Sequence, residues 1–163
     1  MRHIEKRDLR GDEWVKTLTR MRAMLGGGVV VGLCGGRGTG KTQMVVEIAR
    51  GLLGKKPVRY TKAVEIFISL RGAFRDGGDE ESIISSWCKP DLLIVDEAHV
   101  RGETAFEDMM LTHIVDKRYD GMKDTILISN QTADEFAKSL RVSITSRMNE
   151  SGGMIECQWP SYR

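Results

Sequence analysis

Val29-Val30-Val31-Gly32-Leu33-Cys34 runs directly into Gly35-Gly36-Arg37-Gly38-Thr39-Gly40-Lys41-Thr42, and the reading of this stretch decides the fold. Its first half is a continuous apolar run rich in β-branched residues, the pattern of a strand buried on both faces of a parallel sheet. Its second half fits G-x-x-x-x-G-K-[ST] in full. Beyond it, Lys41 to Leu53 places Val45, Ile48, Ala49 and Leu52 on one helical face and stops at Gly54. Strand, glycine loop, helix is the order of a phosphate-binding unit. The glycines let successive amide N–H groups of Gly35, Gly36, Arg37, Gly38, Thr39 and Gly40 converge on phosphates, and the positive end of the helix dipole adds to them. Lys41 then reaches the outer phosphates and Thr42 offers its hydroxyl to Mg2+.

Working outward, residues 12 to 25 read as a helix: Asp12 can cap it, and Trp14, Leu18, Met21 and Leu25 recur at helical steps. After Gly54, the pattern predicts a short strand at Val58 to Thr61 and a helix from Lys62 to Phe74 with Ala63, Phe67, Leu70 and Phe74 on one face. A short helix spans Asp79 to Trp87, with an acidic first turn. Leu92-Leu93-Ile94-Val95 is a second buried strand, Thr104 to Tyr119 a helix, and Thr125-Ile126-Leu127-Ile128 a third buried strand. A helix-turn region from Ala133 to Glu150 and a strand near Met154 to Trp159 complete the chain. This alternation predicts a three-layer α/β fold around a central parallel sheet. Residues 1–27 read as an N-terminal helical extension and 28–163 as one P-loop ATPase domain.

Asp96 and Glu97 end the Leu92 to Val95 run, so both carboxylates emerge at the carboxyl end of a core strand, where open α/β sheets bind ligands. Asp96 is suited to hold Mg2+ and Glu97 to orient an attacking water. The stretch between Lys41 and Asp96 contains another strand and two helices, which favours ATPases over small-molecule kinases; no arginine-rich lid segment of a nucleotide kinase is visible either. Asp96-Glu97-Ala98-His99 also spells a DEAH box, but such helicases need two domains of this kind. Asn130, after the third buried strand, either holds the attacking water or caps the following helix. Arg147, in Ser146-Arg147-Met148, is either a solvated helix arginine or one that completes a neighbour's transition state.

Composition bounds the rest. The chain has 163 residues, 40% hydrophobic and 29% charged, which makes one globular domain and excludes both two full domains and wholesale disorder. No apolar run approaches the roughly 18 to 20 residues of a membrane span. The charged start, with Arg2, His3, Glu5, Lys6, Arg7 and Asp8, lacks the apolar stretch of a secretion signal, so a cytoplasmic location is expected. Cys34, Cys88 and Cys157 are too far apart for a disulfide framework or a metal cluster and are expected to be buried thiols. His99 and His113 lack companions at metal-ligand spacing. A net charge of +2 lacks the basicity of a nucleic-acid module, so any DNA contact must be local.

Together, these landmarks resemble the AAA+ ATPases, and more narrowly the DnaC-type helicase loaders and the related IstB ATPases. The glycine loop and Asp96-Glu97 are shared by many ATPases. Arg118-Tyr119, Thr125 to Asn130, Ser146-Arg147-Met148 and Gly152-Gly153 to Trp159-Pro160-Ser161-Tyr162-Arg163 narrow the match. The resemblance implies ATP and Mg2+ as cofactors, sensor 1 at Asn130, an arginine finger at Arg147, and a homo-oligomer with sites between subunits. It also implies single-stranded DNA and a replicative helicase as partners. Loaders of this type carry an N-terminal helicase-gripping domain, whereas residues 1–28 alone precede the first strand here. The tail ends soon after the last strand, so no separate helical lid is expected. Gly36-Arg37 stands where related loops often have prolines, adding flexibility and positive charge.

Lys62, Arg71 and Arg75, with Phe67 and Phe74 close by, form a candidate surface for single-stranded DNA, since cations plus stacking rings hold a strand without sequence preference. The competing reading buries both rings in the core. The Trp14 to Leu25 stripe is expected to pack on the domain rather than bind a partner.

Overall fold

A computed structural model describes residues 11–100, 102 and 104–162. Five strands, β1 (Val30–Cys34), β2 (Val58–Lys62), β3 (Leu92–Asp96), β4 (Asp124–Ile128) and β5 (Gly153–Glu156), form one parallel sheet in the order β2-β3-β4-β1-β5. The helices are α1 (Asp12–Met24), α2 (Lys41–Leu52), α3 (Ala63–Arg75), α4 (Glu80–Cys88), α5 (Ala105–Asp120), α6 (Ala133–Ser139) and α7 (Val142–Glu150). This is the α/β architecture the sequence pattern predicts.

Side chains alternate across the three central strands, and both sheet faces are covered. Val30, Cys34, Leu93, Val95 and Leu127 face a core completed by α3, α4, α5, α6 and α7. Val31, Leu33, Leu92, Ile94, Ile126 and Ile128 face a second core completed by Trp14, Leu18 and Met21 of α1 and Met44, Val45 and Ile48 of α2. The α1 stripe therefore packs on the domain. Residues 1–10 and Arg163 lie outside the described residues, as do Arg101 and Glu103.

The connections position the site. From β1 the chain leaves over the α1/α2 face to reach the far edge at β2, and every later crossover returns over the opposite face. Right-handed crossovers demand this switch of face when the direction of travel reverses. The carboxyl ends of β1 and β4 consequently border a crevice from which the chain departs on both sides, the place where such sheets receive ligands. β4 lies between β1 and β3, so Lys41 and Asp96 approach across an intervening strand.

Several local expectations change. Gly11, not Asp12, is the N-cap of α1, and Asp12 instead meets the helix dipole in the first turn. Lys62 completes β2, opposite Asp96, and α3 begins one residue later. Phe67 is buried while Phe74, seven residues on along the same helical face, is 52% exposed, so that face is buried only over its first turns. β5 ends at Glu156 because β1 ends at Cys34; the last backbone link is Cys157 N–H donating to Cys34 O (2.8 Å), and the tail then turns away. Cys88 is half-buried, whereas Cys34 and Cys157 are buried. No helix among the described residues is long and apolar enough to cross a membrane, and no three or more of their carboxylates, histidines and cysteines gather into a metal-binding group.

At the amino-terminal edge of the sheet, Arg118 of α5 is fully buried. Its guanidinium donates to Thr125 Oγ1 (2.9 Å), Trp87 O (3.0 Å), Cys88 O (3.3 Å), Pro90 O (2.9 Å) and Asp124 O (2.5 Å). Burial pulls its pKa down to about 10, which still leaves it charged at neutral pH. The Asp124 carboxylate accepts the N–H groups of Gly26, Gly28 and Val29, fixing the entry to β1. Replacing Arg118 with Met should cost about 3 kcal/mol or more, because several buried acceptors lose their donor together. Lys should recover little, lacking the planar fork. Urea unfolding at constant m-value checks this; a loss below about 1 kcal/mol in Arg118→Met would contradict the assignment.

Candidate nucleotide site

The glycine loop crosses from the end of β1 to the start of α2. Gly35, Gly38 and Gly40 have φ of +121°, +82° and +81°, in the left-handed region that glycine reaches without strain. A Cβ on Gly35 would stand 2.6 Å from Cys157 O, so the loop's first residue is glycine for space as well. Gly36 and Arg37 are exposed at the loop's tip. Lys41 is buried beneath the loop, its ammonium donating to Gly35 O (2.6 Å), Gly36 O (2.7 Å) and Thr39 Oγ1 (3.3 Å). That burial lowers its pKa.

Thr42 and Asp96 meet, with Thr42 Oγ1 donating to Asp96 Oδ2 at 3.4 Å. The other carboxylate oxygen accepts the N–H of Glu97 (2.7 Å). Glu97 has φ of +51°, a left-handed conformation unusual for a residue with a side chain and of the kind that collects at functional sites. Its carboxylate forms an ion pair with Lys62 (3.1 Å). Parallel pairing explains the contact: Lys62 lies opposite Asp96 in the β2/β3 register.

Sequence reasoning missed Tyr60, whose hydroxyl donates to Asp96 Oδ2 at 2.5 Å. Burial and the adjacent Asp96 both raise its pKa, keeping the proton on the phenol. Its position two residues before Lys62 on β2 is a usable signal only once β2 is known to neighbour β3.

Asn130 is brought to the same edge. Ser129 N–H donates to Leu33 O (3.0 Å) and Gly35 N–H to Gln131 O (2.9 Å), so Asn130 is bracketed by contacts to the loop's first residues. Arg147 is not brought there. It lies on α7, on the opposite sheet face from α2, with Asp116 at 3.6 Å, Glu150 at 3.7 Å and its guanidinium 4.6 Å over the Tyr119 ring. The candidate DNA cations are engaged within the chain. Lys62 pairs with Glu97, Arg71 with the nearly buried Glu107, and Arg75 with Asp76. Phe67 is unavailable for stacking because it is buried, and Phe74 packs edge-on against Phe106, with centroids 5.4 Å apart.

A phosphate loop, a hydroxyl and a carboxylate in contact, and a second carboxylate held beside them define the site. The family model for IstB-like ATP binding proteins matches residues 12–148. The chain belongs to this family. The replicative helicase loader DnaC of Escherichia coli (strain K12) is 30% identical over 129 residues, covering 77% of this chain and 53% of the relative. This IstB-like chain thus spans about half the length of the curated relatives it matches. Among solved structures, a DnaC helicase loader superposes with a TM-score of 0.75 at 16% identity, over 93% of this chain and 91% of the other. A replication initiator DnaA bound to AMPPCP and single-stranded DNA superposes with a TM-score of 0.77 at 17% identity, over 91% and 46%. The fold is that of the AAA+ P-loop domains.

Two thiols flank the loop. Burial lifts Cys34 from 9.0 to about 12 and Cys157 to about 11. Both therefore stay protonated in the folded chain while the unfolded chain ionises near 9.0, so their contribution to stability is full below pH 9 and lost as pH rises through 11 to 12. At pH 8, a thiol reagent should label neither in the native protein during the time Cys88 reacts, and all three after denaturation. Rapid native labelling of Cys34 or Cys157 would contradict this packing.

Proposed function

We propose that this IstB-like protein binds and hydrolyses ATP as a DnaC-type AAA+ protein in DNA replication, coupling Mg-ATP to single-stranded DNA or helicase handling. The meeting of Thr42 with Asp96 at 3.4 Å, next to the loop carrying Lys41, carries this reading. The set is oxygen-only, a hydroxyl and a carboxylate, which suits a hard cation such as Mg2+, and Mg2+ held by Thr42 and Asp96 would neutralise phosphate charge. The loop amides cradle the phosphates and Lys41 exchanges its backbone carbonyls for phosphate oxygens. Glu97 orients and polarises the attacking water, and Asn130 holds it from the β4 side. Arg147 stabilises the transition state in a neighbouring subunit's site, which makes activity depend on a homo-oligomer.

The ion pair of Lys62 with Glu97 suggests how DNA enters the cycle. While paired, Glu97 is turned toward a cation rather than a water. A phosphate backbone drawn to Lys62, with Arg71 and Arg75 further along α3, releases the carboxylate, so hydrolysis is slow alone and stimulated by single-stranded DNA. The same ion pair favours one rival, an ATP-binding assembly module with little turnover.

ATPase assays with and without single-stranded DNA separate the two. Glu97→Gln should retain nucleotide and lose at least about 100-fold in turnover, as expected for a group acting on the reacting water. Lys62→Ala should raise basal turnover several-fold and remove the DNA stimulation. No stimulation in the wild type and no effect of Glu97→Gln would leave the assembly module. Sizing with a non-hydrolysable ATP analogue should reveal oligomers, and Arg147→Ala should abolish turnover without preventing nucleotide binding. A strict monomer with full Arg147→Ala activity would remove the finger and the oligomer together.

A further inference from the structure

The carbonyls on the outer side of the phosphate loop have donors that come from both ends of the described chain. Gly38 O accepts the backbone N–H of Tyr162 (3.0 Å), Thr39 O accepts the Trp159 indole N–H (2.9 Å), and Gly40 O accepts the Trp14 indole N–H (3.2 Å). Gly40 O also receives the first α2 bond, from Met44 N–H. The two ends are tied together, since Gly11 N–H donates to the Tyr162 hydroxyl (3.1 Å). Trp14 is buried and Trp159 half-buried, so both indoles are packed in place. The approach is close: a Cβ on Gly40 would stand 2.8 Å from Trp14 Nε1.

We propose that Trp14, Trp159 and the Tyr162 backbone form a clamp that presets the loop for a polyphosphate; it rests on the reading of Gly35 to Thr42 as a nucleotide site. A peptide unit is planar, and its C=O and N–H point in opposite directions. Fixing the carbonyls of residues 38, 39 and 40 from outside therefore turns the N–H groups of Thr39, Gly40 and Lys41 inward, where an anion is held. With four glycines in six positions, this loop would otherwise sample many conformations, and ordering it on binding would weaken affinity. The three residues are positioning residues: they touch the loop's outer side and act on the ligand through its peptide planes.

The test uses calorimetric titration of the full chain with a non-hydrolysable Mg-ATP analogue and with inorganic tripolyphosphate, which has no base or sugar. Trp159→Phe and Trp14→Phe keep a ring and remove the donor; each should weaken both ligands by the same factor, about 3 to 10. A loss confined to the ATP analogue would overturn the clamp and make these rings a base-stacking wall. Unchanged affinities in both tryptophan variants, or a wild type that binds the ATP analogue but not tripolyphosphate, would overturn it as well. A wild type that binds neither would remove the nucleotide reading along with the clamp. Should Trp14→Phe fail to fold by urea unfolding, Trp159→Phe, farther from the core of α1, carries the comparison.

Discussion

A single buried cation organises one edge of this protein. Arg118 sits at the amino-terminal side of the sheet, and four of its acceptors are main-chain carbonyls from the end of α4, the connection into β3 and the start of β4. A charge removed from water is tolerated only when its donors are used. Here they are used on carbonyls that would otherwise be orphaned where α4 ends. The same peptide stretch carries Asp124, whose side chain pins the turn into β1. Strands β1, β3 and β4 therefore start in fixed register, and their carboxyl ends emerge at set positions. What happens at the functional edge depends on what is anchored at the other.

At that functional edge, charge is balanced inside the site. Lys41 is spent on loop carbonyls, Glu97 on Lys62, and Asp96 on Tyr60 and Thr42. A nucleotide entering such a site exchanges partners rather than filling a void. On the proposed nucleotide reading, phosphates would replace the carbonyls around Lys41, and loaded and unloaded loops would differ in the partners of that ammonium. The net charge of +2 belongs to the same picture. With Lys62, Arg71 and Arg75 each beside a carboxylate, any polyanion competes with an internal partner, so binding there is coupled to whatever that partner does.

Much of this was legible in the sequence because it rests on local rules. The β1 run, the glycine loop and the α2 face need only periodicity and the sterics of glycine, and Asp96-Glu97 needs only a strand that reaches its carboxyl end. Tyr60 and the Lys62 contact were not legible, since both depend on β2 crossing to the far edge and pairing with β3 in one register. Phe74 shows the limit of the helical pattern. It closes the apolar repeat of α3, but the ring lies half-exposed and meets Phe106 at the surface instead of entering the core. Arg118 read as part of a motif, yet no spacing rule announces that its guanidinium enters the core.

The tryptophans follow the same logic of distance. Trp14 and Trp159 are remote from the glycine loop in the sequence, where Trp14 reads as part of a packing stripe and Trp159 as the end of the last strand. An indole serves both demands, because its ring fills apolar space while its one N–H must find an acceptor when buried. A phosphate loop supplies such acceptors: turning its amides toward a ligand turns its carbonyls away from it, toward the packing layer. The exposed tip at Gly36-Arg37 has no such cover. The loop is thus held from outside at residues 38 to 40, while Gly36 O takes its donors, Lys41 Nζ and Thr39 Oγ1, from the motif's own side chains.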